Sequence, residues 1–108
     1  MIYELRIYHA VPGKLPALLK RFETATLKFW EKHGIRQAGF WTTYIGENNN
    51  DLYYLLEWKD LDERQRQWDA FQADPGWLKV REETEREGAL YDHITNFILK
   101  PTSFSKVQ

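Results

Sequence analysis

Apolar and polar positions alternate from the first residues onward. Tyr3, Leu5 and Ile7 face one way and Ile2, Glu4, Arg6 and Tyr8 the other, the period of a strand with one apolar and one mixed face. Pro12-Gly13 closes that strand. The period then lengthens: Leu15, Leu18, Leu19, Phe22, Ala25, Phe29, Trp30 and His33 recur at helical spacing. Lys20, Arg21, Glu23, Lys28, Glu31 and Lys32 fall on the opposite side. Pro16 near the start and Gly34 at the C-terminal cap position bound this first helix to Lys14–His33. From Ile35 to Trp58 the chain reads as a β-hairpin. Phe40–Ile45 and Leu52–Trp58, rich in aromatic and β-branched residues, flank the turn formers Gly46 through Asp51. Leu52, Tyr54, Leu56 and Trp58 share one face of the second arm, with Tyr53, Leu55 and Glu57 on the other. Asp60, with Glu63 three residues on, resembles a capping box and predicts a second helix to about Ala73, with Leu61, Trp68 and Phe71 inward. Asp74-Pro75 opens a short third helix with Trp77, Leu78 and Val80 inward, and the charged run Glu82–Glu87 reads as a solvated face ending at Gly88. Leu90–Leu99 is the last strand, left at Pro101.

The order β-α-β-β-α-β predicts an α+β, ferredoxin-like fold with a four-stranded antiparallel sheet and both helices on one face. A second face met by water should be polar. Whichever way the hairpin turns, it offers that face Tyr53 and Leu55 or Tyr54 and Leu56. Such a patch exceeds what soluble monomers tolerate, so a second copy packing sheet on sheet is expected. The alternative cover is the chain's own C-terminal segment after Pro101.

Length and composition narrow the classes. At 108 residues the chain suits one domain, residues 1–108. A net charge of −1, from 15 basic and 16 acidic residues, gives no reason to expect nucleic acid as a partner. No apolar stretch approaches a membrane span, and the charged N-terminal residues do not read as a signal peptide. With no cysteine there is no disulfide, thiolate catalysis or thiolate metal site, which fits a reducing cytoplasm. Five tryptophans and an aromatic content of 16% point to a large buried or interfacial aromatic surface.

Candidate chemistry is sparse. His33 ends the apolar stripe of the first helix, and could serve as a general acid or base or simply bond the free helix-end carbonyls. His9 and His93 lack metal-ligand spacing, so no metal site is expected and no cofactor is implied. They read as satisfied surface or interface groups. Glu4 and Arg6 share a strand face that Glu57 could join, as a polar ligand site or as a charge lattice on the dimer face. Trp41, Trp58, Trp68 and Trp77, with Tyr54, either line a pocket for a flat apolar molecule or fill the core; Thr42 or Thr43 could offer such a ligand a hydroxyl. No phosphate loop, nucleophile elbow or paired-carboxylate motif is present.

Several segments together resemble the NIPSNAP family. They are Tyr3-Glu4-Leu5-Arg6-Ile7-Tyr8, Pro12-Gly13-Lys14, His33-Gly34-Ile35, Gly39-Phe40-Trp41-Thr42-Thr43, Asp74-Pro75-Gly76-Trp77 and Asn96-Phe97-Ile98-Leu99-Lys100-Pro101-Thr102. The resemblance covers nearly the whole chain and implies a dimeric α/β-barrel, a ferredoxin-like protomer that dimerises through its sheet. It brings no defined catalytic residues. Leu52–Trp58 is more aromatic than the family pattern leads one to expect. The leading expectation is a homodimer binding a small apolar or amphipathic molecule between helices and sheet, with His33, Trp41, Thr43, Tyr54, Trp58 and Trp68 as candidate contacts. A cofactor-free oxidative enzyme acting on an aromatic or quinol substrate, with His33, Trp41 and Tyr54 in its pocket, is the alternative that structural relatives of the family suggest. A structural module without a ligand is the third.

Overall fold

The sheet is antiparallel throughout, with strand order β2-β3-β1-β4: β1 spans Ile2–Ala10, β2 Arg36–Thr42, β3 Asp51–Trp58 and β4 Tyr91–Leu99. The computed structural model describes all residues 1–108. Helical segments α1 (Leu15–Arg21) and α2 (Leu27–Lys32) lie between β1 and β2, and α3 (Leu61–Gln72) and α4 (Pro75–Thr84) between β3 and β4. This is the split βαβ order that the hydrophobic periods predict.

Local chemistry sets most boundaries. Gly34, at φ +71°, closes α2 in a Schellman motif, with Ile35 N–H donating to Trp30 and Gly34 N–H to Glu31. Asp60 caps α3 by accepting from Glu63 N–H, while the Glu63 carboxylate accepts from Lys59 N–H, one residue earlier than a capping box requires. Asp74 caps α4 by accepting from Gly76 N–H, with Pro75 in the first helical position.

The first helix departs from the expected single α-helix. A π turn, Phe22–Thr26, separates α1 from α2. Each π turn inserts one residue into the helical count, so the inward stripe moves from Leu18, Arg21 and Phe22 to Thr26 and Trp30, leaving Ala25 and Phe29 only half-buried. Arg21, read from its charge as outward, is buried. Leu61 and Leu78, expected inward, are exposed instead. The hairpin also turns earlier than expected. β2 ends at Thr42, and Tyr44 and Ile45 are 96% and 90% exposed in the reversal. A bulge at Gly39, φ +128°, shifts the β2–β3 register between Gln37 and Phe40. A Cβ at Gly39 would lie 2.7 Å from the Trp41 ring, so this bulge requires glycine.

The helices cover the face of β1 and β3 that carries Glu4, Arg6, Tyr8, Leu52, Tyr54, Leu56 and Trp58, all buried. Trp30 anchors the aromatic core beneath them, with ring centroids 5.2 Å from Tyr54, 5.8 Å from Phe40 and 5.7 Å from Phe22. The opposite face carries Tyr3, Leu5 and Ile7 of β1, Tyr53 and Leu55 of β3, Phe97 and Leu99 of β4 and Trp41 of β2. No helix covers it: Trp41, Phe97 and Leu99 are 52%, 50% and 44% exposed. The C-terminal segment is hydrogen-bonded to it through Tyr3 Oη, which donates to the Gln108 carbonyl, and Phe104 and Val107 stay exposed.

Candidate functional site

Two features stand out on the helix side: a carboxylate held by cations under the helices, and a cavity beside it. Glu4 has no solvent exposure. Arg64 of α3 grips it as a fork, Nε to Oε1 at 3.0 Å and Nη2 to Oε2 at 3.1 Å. Arg6 Nη1 and Asn96 Nδ2 each donate at 3.0 Å, and Trp58 Nε1 at 3.1 Å. Burial pushes this carboxyl up, but the hydrogen bonds from Arg64 and Asn96 and the charges of Arg6 and Arg64 outweigh it and hold Glu4 below its ordinary value.

The network continues toward the cavity. Arg6 Nε donates to Tyr54 Oη at 2.8 Å, and Tyr54 Oη to Tyr8 Oη at 3.3 Å. Burial pushes the Tyr54 hydroxyl well up, so it stays protonated. The Arg6 guanidinium also lies 4.5 Å from the Trp68 ring.

The cavity holds about 210 Å³. Tyr8 of β1, Phe22 of the π turn, Trp30 of α2, Phe71 of α3, Trp77 of α4 and Tyr91 at the start of β4 wall it. Its polar lining includes Arg6, Arg21, Arg81 and Thr26. The π turn contributes directly, since it brings both Phe22 and Thr26 to the cavity side. Burial pushes the Tyr91 hydroxyl up as well.

None of the six expected ligand contacts lines this cavity. Tyr54, Trp58 and Trp68 are packed into the core behind it, Tyr54 one hydrogen bond behind the wall at Tyr8. Trp41 lies on the open sheet face and Thr43 in the reversal after β2. His33 sits at the far end of α2, where Nε2 donates to Asp74 Oδ2 at 2.7 Å and Lys32 Nζ to the same oxygen at 2.8 Å. The hydrogen bonds from Lys32 and then His33 hold Asp74 far below the usual carboxylate range. His33 therefore serves the α4 cap rather than bare helix carbonyls. Trp77, grouped with the other tryptophans, does line the cavity. So Trp77, Phe22 and Trp30 form the wall that the aromatic excess predicts, from a different subset of residues.

The expected grouping of Glu4, Arg6 and Glu57 does not form. Glu57 pairs with Tyr3 and stands on the open face, whereas Glu4 and Arg6 lie under the helices. Of these three dimer-face candidates, only Glu57 is on the uncovered side. Arg21 was missed because charge, rather than angle, placed it outside; for Arg81 the one available signal is its place four residues after the inward Trp77. Arg21 lies three residues after Leu18 and one before Phe22, and that angle alone assigns it to the buried stripe.

On the open face, Asp51 Oδ1 accepts from His9 Nδ1, and His9 Nε2 meets Thr95 Oγ1, both at 2.8 Å. His93 stacks on His9 with ring centroids 4.1 Å apart. The chain of hydroxyl, imidazole and carboxylate has the connectivity of a nucleophile triad. It stands away from the cavity, and its groups satisfy one another.

The NIPSNAP family model matches residues 3–106. Among solved structures, the chain is similar to Atu4242 of Agrobacterium tumefaciens, a NIPSNAP family protein with unknown function. The two are 30% identical over 100% of this chain and 94% of that one, with a TM-score of 0.86. An uncharacterized NIPSNAP-like domain protein from Burkholderia xenovorans is 29% identical over 96% of this chain and 87% of that one, with a TM-score of 0.84. An MhuD mutant with manganese protoporphyrin IX bound shares the fold at 13% identity, covering 94% of each chain with a TM-score of 0.61. A search of curated proteins gives no match.

Proposed function

The chain belongs to the NIPSNAP family, and from that premise we propose that it is a homodimer taking up a small molecule with an apolar body between helices and sheet. The cavity carries this reading. Six aromatic rings from six different elements converge on about 210 Å³ of space. An aromatic-walled concavity with a few polar groups is the usual form of a small-molecule site. Its size suits a single-ring molecule: a dry cavity of roughly 150 Å³ holds benzene. The uncovered apolar sheet face supports the homodimer, and the cysteine-free composition suits a cytoplasmic setting. No helix is long and apolar enough to cross a membrane.

A thermal-shift screen of single-ring aromatic compounds tests the reading. Compounds that enter the cavity raise the melting temperature of the native chain, because a ligand that binds only the folded state stabilises it. Ile94→Trp, which fills the cavity from β4, removes the shift. A screen in which no such compound stabilises the protein overturns the proposal.

A further inference from the structure

The cavity carries an imbalance of charge and of hydrogen bonding that a purely apolar ligand leaves unanswered. Its lining includes three arginines and no carboxylate. The nearest carboxylates are each shared between two cations. Arg6 and Arg64 both pair with Glu4, and Arg21 and Arg81 both pair with Glu85. Four guanidiniums are thus met by two carboxylates. Guanidinium does not lose its proton in proteins, so the excess positive charge persists.

Hydrogen bonding points the same way. Arg21 is 4% exposed. Its Nη1 donates to Thr84 Oγ1 and Glu85 Oε2, while its buried Nε–H has no acceptor. Trp30 Nε1 and Trp77 Nε1, on residues 1% and 5% exposed, also lack acceptors. All three residues line the same cavity. Buried donors without partners are few in native proteins, and three around one space call for a group that only accepts. Apart from those acceptors on Nη1, the groups beside Arg21 are aromatic: its guanidinium lies 5.3 Å from the Trp77 ring and 5.9 Å from the Tyr91 ring. Such stacking leaves the guanidinium edge available for an anion.

We propose that the cavity is a binding site for a single-ring aromatic carboxylate, its ring among the aromatic walls and its carboxylate accepting hydrogen bonds from Arg21 together with Arg6. This rests on the reading that the cavity takes a small apolar-bodied molecule, and it adds the charge of that molecule. A carboxylate meets the geometry because it is acceptor-only and planar, matching a guanidinium edge. The aromatic lining and the limited volume favour one ring over a larger or fully polar anion.

Calorimetric titration of the native chain with phenylacetate, benzoate, their uncharged amides, and acetate tests the proposal. The aromatic acids bind at least about tenfold more tightly than the matching amides, since a hydrogen bond to a charged group exceeds a neutral one by that order. Acetate, without a ring, binds far more weakly than either acid. Arg21→Met brings acid and amide to within about twofold of each other, while Ile94→Trp abolishes binding of both. Should Arg21→Met fail to fold by circular dichroism, Arg81→Gln, on a partly exposed side chain, must reduce the preference for acid over amide. Amides that bind as well as acids overturn the carboxylate proposal and leave the apolar-ligand reading standing. If neither class binds, both fall.

Discussion

At the scale of single residues, Glu4 shows how far burial alone can mislead. A carboxylate with no exposure is tolerated only because five donors converge on it from β1, β3, α3 and β4. Such a group ties elements together but adds little net stability over an apolar core, whereas removing its charge alone leaves Arg6 and Arg64 unmatched. Glu4→Gln is therefore expected to cost about 3–5 kcal/mol in urea unfolding, the range for breaking a buried pair from one side. The same variant has a pH signature. Glu4 titrates lower in the folded chain than its ordinary 4.5, so on acidification the unfolded chain takes up the proton first. Its contribution is complete above that ordinary value and is lost as pH falls through the depressed folded value. The native chain should show an acid-side fall in its urea midpoint that is shallower in Glu4→Gln. An equally steep fall in both would remove Glu4 as its source. Asp74 and Glu63, also depressed, act with the same sign and contribute to the slope that remains in the variant.

At the scale of elements, what the sequence makes legible is what a few consecutive residues decide. The caps at Gly34, Asp60 and Asp74 could be read because donor and acceptor lie within four or five positions of one another. Gly34 offers the sharpest test. Alanine at φ +71° incurs about 1–2 kcal/mol of left-handed strain, and its Cβ would lie 3.2 Å from Gln67 Nε2. Gly34→Ala should lower the melting temperature by several degrees, with Gly34→Asn falling in between because Asn visits this region more readily; equal melting temperatures for all three would discard the Schellman account. Two other features were hidden for an equally physical reason. Arg64 closes on Glu4 across 60 positions of sequence, and the cavity takes its lining from the π turn and from six helices and strands at once. Nothing local in Glu4-Leu5-Arg6 says which face of β1 the helices will cover. The π turn was hidden as well, since inserting one residue into a helical count leaves the apolar spacing of Leu18, Phe22 and Trp30 plausible either way. The edge of the hairpin failed differently: Tyr44 and Ile45 have strand propensity but no partner to pair with beyond Thr42.

For the whole molecule, the two sides of the sheet pose opposite problems. The helix side encloses charge and solves it with the Glu4 network, whereas the other side leaves Trp41, Phe97 and Leu99 exposed around the half-buried Leu5 and Leu55. A second copy offers the simplest cover, because an interface made of the same patch on both subunits is self-complementary. Leu5 is the informative position: it lies on a central strand, directly between Leu55 and Phe97, so a charge there disturbs the middle of any sheet-on-sheet contact without touching the cavity. In sedimentation equilibrium the native chain is expected at twice its 13.0 kDa mass, and its melting temperature should rise with protein concentration, as for any assembly that dissociates on unfolding. Leu5→Glu should run at the mass of one chain and lose that concentration dependence. On a face already wetted in a lone subunit, the same substitution would change stability by no more than about 0.5 kcal/mol and leave the mass unaltered, and that result would rule out the shared sheet while leaving the cavity, on the far side of β1 and β3, to be judged by its ligands alone.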